Sequence, residues 1–207
     1  MKFVVSLSGG MDSTTLLYDL LIQKHTVAAI SFNYGQRHSK ELTFARATCE
    51  KWSIPHEVVS LASLRPLLSR SALTGDLPMP HGHYEDAKMK LTVVPNRNMI
   101  LLAIALGWAA NLEYDMVALA AHSGDHAIYP DCRPEFIEAM DRAAQIATYQ
   151  PLRIYTPYLH KTKREIAQIG HTLGVNYDQD TWTCYEGLET SCGKCGACVE
   201  RAEALAA

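Results

Sequence analysis

A strand that runs into a paired-glycine turn and straight on into a helix narrows this chain more than any other feature, and it stands at residues 3–21. Phe3-Val4-Val5 is a short apolar run of the kind that is buried in a sheet, and Leu16, Leu17, Leu20 and Leu21 fall on one helical face. Between them lies Ser6-Leu7-Ser8-Gly9-Gly10-Met11-Asp12-Ser13. Such a turn gathers several backbone N–H groups and aims the positive end of the helix dipole at one point, an arrangement that suits an anion. Neither glycine carries a Cβ, so the backbone can approach a phosphate closely. Ser8 and Ser13 add hydroxyl donors, and Asp12 adds a carboxylate able to hold Mg²⁺. The pattern reads as a phosphate cradle.

The rest of the chain continues the alternation. Strands are expected at 26–32, 55–59 and 115–121, and helices at 41–52, 96–112, 134–147 and 162–173, with Pro134 opening one helix and Gly174 closing another. Regular β-α alternation with near-continuous apolar strands implies an α/β fold, a parallel sheet covered on both faces. In such a sheet ligands bind at the carboxyl ends of the strands, where the cradle sits. At 207 residues the chain supports one well-buried core. We divide it into an α/β domain over 1–175 that carries the cradle and a C-terminal cysteine segment over 176–207. Residues 69–91 break the pattern with Gly75, Pro78, Pro80 and Gly82, and a loop of that length is expected to be functional or mobile.

A net charge of −3 argues against a broad nucleic-acid-binding surface. Nothing approaches a membrane span, and the cradle follows the first strand too closely to leave room for a signal peptide, so the expected compartment is the cytoplasm. Six cysteines in a reducing compartment point to metal or catalysis before disulfides. Four of them, Cys184, Cys192, Cys195 and Cys198, are spaced C-x7-C-x2-C-x2-C among Gly187, Gly193 and Gly196. Four thiolates at this spacing suit one closed tetrahedral Zn²⁺ site that adds folding energy. An iron–sulfur cluster is the rival, although the C-x3-C-P continuation of the ferredoxins is missing. Cys49, within a helix, reads as core.

The cradle has no Gly-Lys-Ser/Thr and no G-x-G-x-x-G, so it is neither a Walker site nor a dinucleotide fingerprint. Ser-Gly-Gly-x-Asp-Ser instead resembles the pyrophosphate loop of the ATP pyrophosphatases. That resemblance implies ATP contacts along Leu7, Ser8, Gly9, Gly10, Met11, Asp12, Ser13, Thr14, Thr15, Leu16 and Leu17. Three further segments narrow the field: Phe32-Asn33-Tyr34-Gly35-Gln36-Arg37-His38, Val94-Pro95-Asn96-Arg97-Asn98, and Tyr129-Pro130-Asp131-Cys132-Arg133-Pro134-Glu135-Phe136. With Thr183-Cys184-Tyr185 and the terminal cysteines up to Arg201, they resemble the 7-cyano-7-deazaguanine synthase family of queuosine biosynthesis, from residue 3 to residue 201.

The resemblance implies an ATP-dependent ligase that makes 7-cyano-7-deazaguanine from 7-carboxy-7-deazaguanine and ammonia, releasing AMP and diphosphate. It implies Mg²⁺ with ATP and one structural zinc. The expected partners are the deazaguanine acid and ammonia, with no nucleic acid and no membrane, in a homodimer. Asp12, Arg97 and Lys161 are the expected catalytic residues, Lys161 reaching an adenylate phosphate. Arg37 and Arg97 could neutralise phosphate oxygens or the substrate carboxylate. Asp125 and Asp131 follow the fourth strand and could accept from the guanine-like N–H groups, with Arg133 as a further substrate contact. His38, His122 and His126 are candidates for proton relay; the last two are not expected from the family pattern at this point. Cys132 has no role in this chemistry. Rival readings are a pyrophosphate-loop enzyme that stops at the amide or thiolates tRNA, and a zinc-ribbon binding module without catalysis, which leaves the loop unexplained.

Overall fold

The computed structural model describes residues 1–83 and 87–206. Five parallel strands form one sheet: β1 (Lys2–Ser6), β2 (Thr26–Asn33), β3 (His56–Ser60), β4 (Met116–Ala118) and β5 (Arg153–Tyr155). Seven α-helices accompany them among the described residues: α1 (Met11–Ile22), α2 (Glu41–Trp52), α3 (Arg97–Asn111), α4 (Pro134–Ala147), α5 (Lys163–Thr172), α6 (Tyr177–Asp180) and α7 (Gly196–Leu205). The spatial order is β3-β2-β1-β4-β5. The chain leaves β1 toward β2 on one side and later returns to place β4 on the other, so the order reverses beside β1. The crevice at such a switch point is where open α/β sheets bind ligands.

Side chains on β1 alternate across the sheet, as a period of two requires. Val4 joins Ile30, Val117, Leu102 of α3 and Ile137 of α4 in one core, while Phe3 and Val5 join Leu16, Leu17, Leu20 of α1 and Ile166 of α5 in another. Both faces of the sheet are therefore covered, and the α/β expectation holds. The helix expected at 41–52 has those bounds. The fourth strand is shorter than expected: the ladder ends at Ala118, and Leu119, Ala120 and Ala121 turn out to line the central cavity. Strand β5 has only three residues, too few for a readable period, and was not expected.

The stretch 69–91 differs from a loose loop. Residues 84–86 lie outside the described residues, but Ser71, Ala72, Leu73 and Thr74 are fully buried. Ala72 donates to the Leu91 carbonyl at 2.7 Å, Arg37 donates its backbone N–H to Leu73 at 2.9 Å, and Arg65 Nε donates to Thr74 at 2.9 Å. Ala72, Leu73 and Met79 belong to the same core as Val4. Prolines and glycines marked this segment as irregular, which it is; burial of its small apolar residues pins its middle.

Candidate active site

Two facts place the cradle. Helix α1 begins at Met11 with Gly10 as its N-cap and no side chain capping it, so its first N–H groups face outward. Gly9 has φ +86°, and a Cβ there would meet the Glu41 carbonyl at 2.1 Å. Only glycine fits, but the constraint is packing against α2. It is Gly10, not Gly9, that faces the cavity. Leu7, Ser8, Met11, Asp12 and Ser13 line it as well, whereas Thr14, Thr15, Leu16 and Leu17 do not. Thr15 bonds the Tyr177 hydroxyl at 2.8 Å, and Leu16 and Leu17 are core. Ser8 and Ser13 bond each other through their hydroxyls at 3.0 Å.

The cavity encloses ≈ 1070 Å³, its open mouth included. Beside the loop stands a charged cluster. Lys163 Nζ lies 2.7 Å from Asp12 Oδ2 and 3.2 Å from Glu200 Oε2, with His122 Nε2 3.4 Å away. His122 in turn is 3.6 Å from Asp125 Oδ2. Burial works against the charge on Asp12, yet the Lys163 ammonium and His122 outweigh it and hold the carboxyl below its ordinary range. Burial opposes the Lys163 charge too, and Asp12, Glu200 and Asp125 more than offset it, so the ammonium persists well above the usual lysine range. Lys163 is placed by α5, whose Thr162–Glu165 capping box sets the first turn.

Phe32, Tyr34, Trp182 and Tyr185 also line the cavity, as do His38, Glu41 and Arg97. His38 Nε2 is 3.4 Å from Glu41 Oε1. Burial pushes the Glu41 carboxyl up to about 8, and burial with the nearby Arg97 charge pushes His38 down to about 3, so both are uncharged in the free pocket at neutral pH.

The remaining expected site residues are sorted by what they touch. Arg97 and Asp125 line the cavity. Arg37 does not: its guanidinium donates to the carbonyls of Gly75 and Leu77 at 2.8 Å each, which is how the buried loop is held. Asp131 Oδ2 accepts the backbone N–H of Asn98 at 2.8 Å and so caps α3 from outside the helix. Arg133 donates to the His126 carbonyl at 2.8 Å. Lys161 is absent from the cavity lining, and the lysine that reaches Asp12 is Lys163. Sequence reading missed Lys163, Glu200, Glu41 and Trp182. The Thr162-x-x-Glu165 capping signal was the available clue to Lys163, because it puts residue 163 at the start of a helix.

The C-terminal segment closes the site. Trp182 donates its backbone N–H to the Gly9 carbonyl at 2.9 Å, and α7 carries Glu200 to Lys163. The Sγ atoms of Cys184, Cys192, Cys195 and Cys198 lie within 4.8 Å of one another. Backbone N–H groups of Cys195 and Lys194 point at Cys192 Sγ at 3.3 and 3.4 Å, the contacts that favour a thiolate. Gly193, with φ +67°, makes the turn between the ligands. The donor set fits a single tetrahedral ion, and is tighter than a cubane of irons and sulfides would leave its four thiolates.

Parallel sheet, switch-point cavity, Ser-Gly-Gly-x-Asp-Ser loop and flanking lysine together define a nucleotide-binding α/β protein of the ATP pyrophosphatase class. Its fold is similar to that of the U34-tRNA thiolase NcsA from Methanococcus maripaludis, with a TM-score of 0.55 and 15% identity over 99% of this chain and 64% of that one. The chain belongs to the family described as queuosine biosynthesis protein QueC, whose model matches residues 2–207. Relatives named 7-cyano-7-deazaguanine synthase include one from Hahella chejuensis, 55% identical over 99% of this chain and 88% of that one. Another, from Marinomonas sp., is 55% identical over 99% of this chain and 93% of its own.

Proposed function

We propose that this chain is an ATP-dependent carbon–nitrogen ligase that converts 7-carboxy-7-deazaguanine and ammonia to 7-cyano-7-deazaguanine, releasing AMP and diphosphate. The observation that carries the reading is the pyrophosphate loop opening, beside the Asp12–Lys163 pair, onto one cavity in a chain of the queuosine biosynthesis protein QueC family whose relatives are named 7-cyano-7-deazaguanine synthase.

The chemistry follows from the residues. A carboxylate is a poor electrophile, so its oxygen first attacks the α-phosphate of ATP and diphosphate leaves. Ammonia displaces AMP to give the amide. The amide oxygen attacks a second ATP in the same geometry with loss of diphosphate, and departure of AMP and both amide protons leaves the nitrile. Helix α1 and the loop N–H groups hold the leaving diphosphate, while Lys163 and Arg97 supply positive charge where the transferring group becomes more negative. Asp12 Oδ1 is buried without a hydrogen-bond partner, which leaves an oxygen for Mg²⁺. That ion, bound with ATP, would neutralise phosphate charge. The four cysteines would hold one structural zinc, with no position left for a catalytic water. Residues 1–175 then serve as the ATP-binding domain, and 176–207 as the zinc segment that completes its cavity.

Thiolates kept reduced fit a cytoplasmic protein, and the net charge of −3 fits a free deazaguanine acid better than a nucleic acid. The reading carries a homodimer with it, which light scattering checks against the 23.0 kDa of one chain. The deciding experiment is a mass spectrum of the products from the carboxylate, ammonium and ATP: nitrile with AMP supports the reading, amide alone replaces it with a synthase that stops one step earlier, and no AMP removes it. Asp12→Ala is expected to lower AMP release by about 10²–10³-fold. Its melting temperature should change little, because Lys163 keeps Glu200 as a partner. Near wild-type AMP release would remove Asp12 from the machinery.

A further inference from the structure

The carboxyls at the cavity are not equivalent. Asp12 and Glu200 share Lys163, and Asp125 faces His122. Glu41 has no lysine or arginine within ion-pair distance among the described residues. Its two contacts, from Gln36 Nε2 and with His38 Nε2, both at 3.4 Å, fall on Oε1. Oε2 makes no hydrogen bond to the described residues. Beside it, His38 Nδ1 and Trp182 Nε1 are buried with no partner. Phe32, Tyr34, Trp182 and Tyr185 line the same cavity. A flat aromatic slot with an unpaired carboxyl and orphaned ring nitrogens is the complement of a planar heterocycle with hydrogen-bonding edges.

We propose that Glu41 reads the base: its carboxylate accepts the ring N–H and the adjacent exocyclic amine of a guanine-type edge, with the ring held between the aromatic walls. The inference rests on the functional reading above and adds the residue that would select the substrate. Two parallel donors require two acceptors on one rigid group, which an ionised carboxylate supplies and an amide does not. An adenine edge sets a donor beside an acceptor and does not match. The neutral state of Glu41 in the free pocket agrees with this, since two N–H donors from the ligand favour the ionised form and compensate its burial.

The test uses the full chain, with AMP release as readout, on 7-carboxy-7-deazaguanine and on its analogue lacking the 2-amino group. Wild type should prefer the amino compound by about ten- to hundredfold in kcat/KM, the range for a lost hydrogen bond to a charged group. Glu41→Gln should lose about that factor on the amino compound and little on the analogue, so the preference collapses while KM for ATP stays unchanged. Because the preference is a ratio within one protein, incomplete folding of the variant cancels. Glu41→Asp, which keeps the carboxylate, should retain a preference for the amino compound. A preference that survives Glu41→Gln, or a loss that appears in KM for ATP, overturns the proposal while leaving the functional reading intact. A wild type that turns over neither compound removes the functional reading, and this inference with it.

Discussion

Lys163→Met is expected to lower AMP release by about 10³-fold, the upper range for removing one preorganised charge from a reaction of this kind. Its ammonium touches two carboxylates at once, Asp12 at 2.7 Å and Glu200 at 3.2 Å, and methionine fills the volume without the charge. Two acids then face each other in a partly buried site. Stability should fall by about 2–3 kcal/mol at neutral pH, less than the ~3–5 kcal/mol of a fully enclosed pair because one side of the cluster opens on the cavity. In the wild type, Asp12 is held below its ordinary range, so its contribution is present above about pH 4 and is lost as pH falls through the lowered folded value. Lys163 is held above its ordinary range, so its contribution is present below about pH 10 and is lost only as pH rises through the raised folded value. In the variant, burial acts on Asp12 without the Lys163 attraction and raises it against what His122 and a backbone hydrogen bond still supply. The deficit is therefore largest at neutral pH and shrinks as acid protonates the carboxyl. Urea unfolding of both proteins at about pH 7 and about pH 4 measures this, and a deficit that grows in acid would contradict the placement of the charge.

Cys195→Ser should have the largest effect on stability. Cys195 is fully buried, sits in the core that includes Val4 and Ile30, and begins α7. Loss of one thiolate from a four-thiolate site is expected to cost several kcal/mol, a fraction of the ~10–16 kcal/mol of a structural zinc. The purified wild type should contain about one zinc per chain and be colourless, by the one-site logic of the cluster. Iron with acid-labile sulfide would overturn that assignment. The effect should reach the chemistry as well. Helix α7 carries Glu200, Arg201 donates to the Tyr177 carbonyl at 2.7 Å, and Gly82 donates to the Lys194 carbonyl at 2.9 Å. Releasing α7 takes Glu200 away from Lys163, so the folded fraction of the variant should also lose kcat. A folded fraction with full kcat would show that zinc and site are uncoupled.

The two outcomes rest on different kinds of information. Asp12 and Cys195 were legible in the sequence, because a strand–Gly-Gly–helix junction and a C-x2-C-x2-C run are local patterns. Lys163 was not. It lies 151 residues from Asp12, and the capping signal that sets it at a helix start, unlike Lys161 two positions earlier, says nothing of which distant carboxylates it meets. Arg37 and Asp131 show the converse: both stand in telling segments, yet one is spent on loop carbonyls and the other on a free N–H in the first turn of a helix. Charged side chains in irregular segments satisfy whichever backbone groups folding leaves open, and local spacing does not encode that demand.

Sequence alone determined the parallel α/β plan, the position of the phosphate cradle, the bounds of α2 and the four-cysteine set, since each follows from a short period, a turn requirement or a ligand spacing. Tertiary structure alone decided that residues 71–74 are core, that Gly9 is required by α2 and Gly10 faces the cavity, and that Lys163, Glu200 and Glu41 meet the loop. Those outcomes depend on which distant segments pack together, and burial and charge pairing between segments leave no periodic trace along the chain.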